Sequence, residues 1–393
     1  LNLNIKAFMN AFLKEKHHKI REEVRSFAEK NIKPVIGEYE ANEKFPEDLI
    51  RSLDELNLFG MQAPEKYGGQ NSDYLSFIIA VEELARIDSS VAATLAAHNS
   101  LGVGPIMEFG TEEQKEKFLP SLCTGEKLWA FGLTEENAGS DAQGVETKAE
   151  EKENGWVING HKKYITNVAS KISTGMSLVA QTGIRDNGKK EFTTFLVSKE
   201  TNGYTTEYMK NKLLWRAADN GMVYLKNCKI PKENQLGERG QGIKIMLKTI
   251  DSGRLSIAAM GLGLAQGAFE MAVDFAKKRK QFGKAIAEFQ ANAFKIAEMA
   301  TKIENARNTL YNACWLKDNG QPFGIKSAMA KYYASEVASE VASEALQIFG
   351  GAGFFRDDEY PIERFFRDQR LLSIGEGTSE VLKTVISRSI LKD

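Results

Sequence analysis

Cysteine and histidine are scarce in this 393-residue chain, and the pattern of the few present excludes several chemistries. Cys123, Cys228 and Cys314 stand far apart, are odd in number and form no CxxC pair. Neither a disulfide framework nor a zinc site is expected, and the thiols read as reduced and mostly buried. His17, His18, His98 and His161 lack HxxxH or HExxH spacing, so no metal site is expected. His98, in an Ala-rich helical context, reads as a packed or hydrogen-bonded side chain. An excess of either charge is also missing: 52 Lys and Arg face 53 Asp and Glu, for a net charge of -1. The longest basic cluster, Lys277-Lys278-Arg279-Lys280, is short, so neither nucleic acid nor a membrane surface is an expected partner. No apolar run reaches the roughly 18 residues of a membrane span, and Leu1 opens no signal-peptide pattern. The expectation is a soluble protein.

What is present falls into three blocks, expected at residues 1–125, 126–236 and 237–393. In the first, Ile20, Val24, Phe27, Ala28 and Ile32 recur at helical spacing, with Pro34 expected to close the helix. A second helical pattern runs from Tyr74 to Ala97, with Glu82 and Glu83 expected on its polar side. Thr111 reads as an N-cap ahead of Glu112 and Glu113. The middle block carries β-branched runs such as Trp156–Gly160, Phe192–Val197 and Met222–Leu225. Asn154-Gly155, Asn159-Gly160, Asn187-Gly188 and Asn202-Gly203 read there as hairpin turns, which predicts an antiparallel barrel or sandwich. Beyond Pro231 three long helices are expected, near 243–274, 289–315 and 324–349, forming a C-terminal four-helix bundle with the tail. Helices, then strands, then helices make an α+β chain and exclude a doubly wound sheet.

Met260-Gly261-Leu262-Gly263-Leu264-Ala265-Gln266-Gly267 looks like a dinucleotide fingerprint, but its spacing is wrong and no strand precedes it; close helix packing explains it better. Two other stretches carry chemistry. Phe131-Gly132-Leu133-Thr134, continuing through Gly139-Ser140-Asp141, sets small and hydroxyl residues after an apolar segment, suited to backbone donation toward an anionic or carbonyl-rich ligand. Ser373-Ile374-Gly375-Glu376-Gly377-Thr378-Ser379-Glu380 places a carboxylate between two glycines, which reads locally as a helix start with Thr378 as N-cap.

The first of these runs resembles the opening signature of the acyl-CoA dehydrogenase flavoprotein family. Further motifs follow in family order: Tyr164-Ile165-Thr166-Asn167, Arg279-Lys280-Gln281-Phe282-Gly283 with Gln290, Gln347-Ile348-Phe349-Gly350-Gly351, Tyr360-Pro361 and Arg367-Asp368. The similarity spans essentially the whole chain. It implies the fold of that family, FAD as cofactor, and α,β-dehydrogenation of an acyl thioester, acyl-CoA to trans-2-enoyl-CoA. Electrons would pass to an electron-transfer flavoprotein. It implies that Phe131, Leu133, Thr134, Gly139, Ser140, Tyr164, Ile165 and Thr166 hold the flavin and ribityl–phosphate arm. Arg279, Gln281, Phe282, Gln290, Gln347, Gly350 and Gly351 would meet the adenylate half from a neighbouring subunit of a homotetramer, a dimer of dimers, with Thr378 and Glu380 on the first subunit's side. Ser140, Asp251, Arg254, Gly375 and Gly377 would line the substrate, and Glu376 would be the base that removes the α-proton while the β-hydride leaves for flavin N5. The family's alternative base position corresponds to Gly253, so no rival base stands there.

Departures from the family pattern bear on the substrate. Gly375 replaces a frequent Tyr, Tyr164 a frequent Trp, and Leu214 in Lys212-Leu213-Leu214-Trp215-Arg216 a frequent Gly. The stretch from Gly353 to Tyr360 is slightly long. Trp215-Arg216 reads either as a substrate-side element or as a packed turn. Short or branched acyl groups are the expected substrates. The alternatives are a dehydrogenase or oxidase of acyl or aminoacyl groups on an acyl carrier protein, an oxygen-using flavoprotein of the same fold, and a non-catalytic flavin-binding scaffold. The expected location is the bacterial cytoplasm, or the mitochondrial matrix where a targeting segment has been removed.

Overall fold

The computed structural model describes residues 12–392; the first residues of the expected N-terminal block and Asp393 lie outside it. Seven helices come first: α1 (Glu15–Phe27), α2 (Lys33–Ala41), α3 (Glu47–Arg51), α4 (Tyr74–Ala85), α5 (Ser89–Ala96), α6 (Gly104–Phe109) and α7 (Glu112–Cys123). The sheet strands are β1 (Leu128–Gly132), β2 (Lys148–Lys152), β3 (Gly155–Thr166), β4 (Ser173–Ile184), β5 (Lys190–Ser198), β6 (Tyr204–Tyr208), β7 (Asn220–Ile230) and β8 (Gln235–Leu236). Helix α8 (Gly242–Lys278), the hairpin β9 (Lys280–Gln281) and β10 (Lys284–Ala285), then α9 (Gln290–Asp318), α10 (Gly324–Phe349), α11 (Ile362–Asp368) and α12 (Ser379–Ile390) complete the chain.

The sheet runs β6-β7-β3-β2-β4-β5-β8. Most neighbours are antiparallel as expected, but β1 and β2 each pair with β4 in parallel. Residue alternation tells which face of a strand is buried and says nothing about the direction of its partner. Asn159-Gly160 is not a turn. It lies inside β3, where the register against β7 shifts, and Asn159 Oδ1 accepts the Asn227 N–H at 2.8 Å.

Pro34 does not end its helix either. The chain passes from α1 through a π-turn at Ala28–Ile32 into α2, where Pro34 sits in the first turn. The wider turn carries the preceding carbonyls past the proline ring, which a regular helix would bring into collision. Likewise Pro120 lies within α7, whose Thr111 is the expected N-cap and forms a capping box with Gln114.

Helices from both ends of the chain share one core, in which α4 and α8 are central. Every residue of α4 is buried, Glu82 and Glu83 included, so neither faces solvent as expected. Arg21, Arg25 and Arg86 close on Glu83 at 3.2, 2.8 and 3.3 Å, while Arg307 meets Glu82 at 3.2 Å and the Tyr311 hydroxyl donates to it. Burial pushes the Glu82 carboxyl up, but Arg307 and Arg21 outweigh it and hold it below the ordinary range.

Helix α8 is long and apolar enough by length and composition to cross a bilayer, although Arg254 and Glu270 keep any uncharged run within it short of 18 residues. Of its most apolar stretch, 78% is buried inside the protein, which marks a core helix. Its glycines serve close packing, not a nucleotide. A Cβ on Gly263 would lie 2.1 Å from the Glu82 carbonyl, and one on Gly267 2.2 Å from that of Arg86. Because backbone cannot yield as a side chain can, Gly263→Ala is expected to destabilise by about 1–3 kcal/mol. A urea midpoint equal to wild type would contradict this account of the α4–α8 contact.

Candidate active site

Glu376 stands on the turn between α11 and α12 with φ 53°, and Gly377 follows at φ 97°. A glutamate in the left-handed region is strained, and such strain persists only where the surroundings hold it. Thr378 closes the turn as the N-cap of α12, its hydroxyl accepting the Val381 N–H at 3.3 Å. From beneath, the Lys331 ammonium on α10 donates to the Gly377 carbonyl at 2.7 Å.

The carboxylate points at α8. A Cβ on Gly253 would lie 2.0 Å from Glu376 Oε2 and 2.7 Å from a Leu101 methyl, so a side chain there would push the carboxylate or Leu101 out of its present place. Oε2 is shielded from solvent and has no hydrogen-bond partner, nor does Nε of Arg254. Arg254 instead binds Asp251 through Nη1 at 2.7 Å. Burial raises the Glu376 carboxyl to about 7, partly opposed by Lys331 and Arg254. Burial also raises Asp251, with Arg254 and Lys317 opposing. A buried, unsatisfied carboxylate that titrates near neutrality is suited to taking a proton from a bound molecule.

The sheet packs against the same stretch of α8. Phe131 and Leu133, at the end of β1, pack with Met246, Ile243 and Ile250 of α8, one residue from Asp251. The π-helical segment Ala97–Val103 fills the space between, with Gly102 against the Trp129 carbonyl of β1 and Leu101 beside Gly253. His98 in that segment is a structural bridge, as expected: Nδ1 accepts the Trp129 N–H at 3.2 Å and Nε2 donates to the Leu122 carbonyl at 2.9 Å. Burial lowers it to about 4, so it is neutral.

The expected flavin-side residues offer an open ledge. Tyr164 is 60% exposed at φ 61°, lifted by a register shift between Lys162 and Ile165, while Ile165 is buried in the sheet core. Thr166 accepts from Asn220 Nδ2 at 2.9 Å. A Cβ on Gly139 would meet nothing within 4 Å, so that backbone and exposed Ser140 are approachable from outside. The Leu133–Glu135 loop, which includes Thr134, is braced by buried Lys162, whose ammonium donates to the Leu133 carbonyl at 3.1 Å and to Glu135 at 2.6 Å. An exposed aromatic ring beside open backbone and hydroxyls fits a flat, polar-tailed cofactor such as FAD.

The adenylate-side residues lie elsewhere. Arg279, Gln281, Phe282, Gln290, Gln347, Gly350 and Gly351 are all exposed where the α8 end, the β9–β10 hairpin, the α9 start and the α10 end converge. Phe275 stacks on Phe349 at 4.2 Å there, and Lys295 pairs with Glu344. Gln347 is about 24 Å along α10 from Lys331 at the helical rise of roughly 1.5 Å per residue. One chain therefore does not bring this group to Glu376. Thr378 and exposed Glu380 remain at the Glu376 end.

Two ambiguities resolve on geometry. Trp215 is a packed turn, with its N–H and indole Nε1 donating to Asp368 at 3.0 and 3.2 Å. Gly375 leaves room, since a Cβ there would meet only the Leu371 carbonyl at 3.6 Å. Sequence reasoning missed Lys331 and Leu101. The signal for Lys331 was present, because it falls in the buried stripe Ser327, Lys331, Ala334, Ala338 of α10.

Comparisons with known proteins agree with this architecture. Family models described as the N-terminal, middle and C-terminal domains of acyl-CoA dehydrogenase match residues 14–126, 130–228 and 240–391. A probable acyl-CoA dehydrogenase of Bacillus subtilis is 42% identical, covering 98% of this chain and 100% of its own. A subunit of the caffeyl-CoA reductase–Etf complex of Acetobacterium woodii is 39% identical over 97% of this chain and 100% of its own. Butyryl-CoA dehydrogenase of Megasphaera elsdenii superimposes with a TM-score of 0.92 at 40% identity, covering 97% of this chain and 99% of that one. An acyl-CoA dehydrogenase of Bacillus anthracis in complex with FAD gives 0.90 at 32% identity, covering 97% of this chain and 67% of that one.

The folded Glu376 carboxyl titrates near 7 and an unfolded one near 4.5. The folded protein therefore binds the extra proton between those values, and stability falls as pH rises through that window. Glu376→Gln has no proton to lose. Its Tm relative to wild type is expected to climb from pH 4.5 to 7 and then level off; a difference independent of pH would contradict the assigned burial.

Proposed function

The chain belongs to the acyl-CoA dehydrogenase family, and from that premise we propose that it oxidises the Cα–Cβ bond of a short-chain acyl-CoA to the trans-2-enoyl-CoA. The observation that carries the reading is the solvent-shielded, unpartnered Oε2 of Glu376, lying against Gly253 of α8 within the fields of Arg254 and Lys331. Glu376 takes the α-proton. A thioester α-carbon gives up its proton only where the growing charge on the carbonyl oxygen is stabilised and water is excluded, and the shielded setting of Glu376 against α8 supplies the exclusion of water. FAD, when bound, supplies the acceptor for the hydride that leaves the β-carbon, which balances the loss of two hydrogens.

Tyr164, Thr166, Phe131, Leu133, Thr134, Gly139 and Ser140 hold the flavin side of the cofactor in this reading. Asp251 and Arg254 position the thioester arm, and the space above Gly375 belongs to the acyl pocket. Butyryl-CoA dehydrogenase among the similar structures supports a short acyl group. The caffeyl-CoA reductase–Etf complex supports an electron-transfer flavoprotein as partner.

The separation of the Gln347 cluster from Glu376 supports a cofactor held between subunits, in a homotetramer built from two dimers. Phe282, 93% exposed in the isolated chain, gains a natural cover from a second copy.

Anaerobic mixing of the flavin-loaded protein with butyryl-CoA is expected to bleach the flavin. Faster bleaching by a carrier-protein thioester would favour that alternative, and rapid reoxidation by oxygen would favour an oxidase. Glu376→Gln should remain yellow yet lose about 10²–10⁴-fold in rate. Near-wild-type bleaching by that variant would remove Glu376 as the base. Arg279→Ala is expected to lose flavin on gel filtration and to elute as a smaller species; a fully flavinated variant of unchanged size would contradict the shared site.

A further inference from the structure

We propose that Lys331 is a positioning residue of this reaction: its ammonium, buried under the Glu376 turn, clamps the Gly377 carbonyl and thereby fixes both the pose and the charge of the base. The inference rests on the reading of Glu376 as that base.

Lys331 is completely buried, on the inward stripe of α10, and no carboxylate forms an ion pair with it among the described residues. An unpaired ammonium loses its hydration at great cost unless something offsets the loss. Here the acceptor is the Gly377 carbonyl at 2.7 Å, next to a glutamate held at φ 53°. The clamp grips the residue beside the strained one, where it resists relaxation of Glu376 toward ordinary backbone angles.

The surrounding charges leave Glu376 as the group that Lys331 serves. Facing Lys331 are Glu376, Glu336, Glu380 and the like-charged Arg254. Glu336 already accepts from the Ser379 hydroxyl at 2.6 Å, Glu380 is exposed at the start of α12, and Arg254 is bound to Asp251. Around Glu376 stand Lys331, Arg254 and the Tyr74 phenol, which donates to the Ser252 carbonyl. Burial lowers Lys331 to about 8 and raises Glu376 to about 7, while the opposite charge of each group opposes the shift of the other.

Three substitutions separate pose from charge. Lys331→Gln keeps a donor and removes the charge, Lys331→Arg keeps the charge, and Lys331→Met removes both. The pH dependence of kcat/KM for butyryl-CoA is measured on flavin-saturated protein. In Lys331→Gln the acid limb is expected to move up by about one pH unit or more, as loss of a nearby opposite charge requires. It should stay in place in Lys331→Arg. In Lys331→Met the limb should move and the high-pH plateau should fall as well.

A Lys331→Gln limb that coincides with wild type overturns the proposal, whatever happens to Tm. Should Lys331→Gln fail to accumulate with flavin, Lys331→Arg decides, because its guanidinium remains charged throughout. A limb displaced in that variant as far as charge removal would displace it overturns the charge role. Glu376→Gln, measured alongside, separates the two ideas. If it turns over normally the base assignment fails, whereas a dead Glu376→Gln with an unmoved Lys331→Gln limb sinks only the role of Lys331.

Discussion

A carboxylate drawn out of water, on a left-handed turn between two cations, is the interaction around which this protein is arranged. Left alone, such a group would relax its backbone or take up a proton. Relaxation of the backbone is resisted, because Gly377 is tied to Lys331 and Thr378 starts a helix at once, and proton uptake is opposed, though not prevented, by Lys331 and Arg254. Burial and the two cations pull the carboxyl in opposite directions, and the balance falls near neutrality, where a base is both ionised and strong enough to act.

Delivering that group requires helices to approach one another very closely. Gly253 admits the carboxylate to α8, while Gly263 and Gly267 let the same helix lie against the α4 carbonyls. The buried arginine–glutamate network around Glu82 and Glu83 orients α1, α4 and α9, and the π-helical turn carrying His98 and Leu101 joins α8 to the sheet. Thus the end of β1 packs against Ile243, Met246 and Ile250 of the helix that carries Asp251 and Gly253. Glycine placement, more than polar chemistry, sets the geometry of the site.

Much of this was legible in the residues. Thr378 and Thr111 were readable as caps because capping is local, and the helices–strands–helices order followed from periodicity. The glycine-rich run in α8 reads as helix packing and not as a nucleotide loop because no strand precedes it, and its glycines lie against the Glu82 and Arg86 carbonyls. What escaped depended on distant partners. Glu82 and Glu83 look like surface charges until Arg21, Arg25, Arg86 and Arg307 arrive from other helices. Pro34 looks like a stop until a π-turn carries the chain past it, and Asn159-Gly160 looks like a turn until β7 extends alongside. Lys331 reads as solvated in any local window, although its place on an Ala-rich stripe was the available warning.

The central claim is that Glu376 removes the α-proton, and hydrogen exchange at that carbon tests it without requiring turnover. Flavin-loaded protein is held reduced, so that no hydride can leave, and incubated with butyryl-CoA in D₂O while the α-methylene signal is followed by NMR. Wild type is expected to wash out the α-protons, progressively faster as pH rises through about 7, and Glu376→Gln to leave them in place. Undiminished exchange in Glu376→Gln would contradict the account.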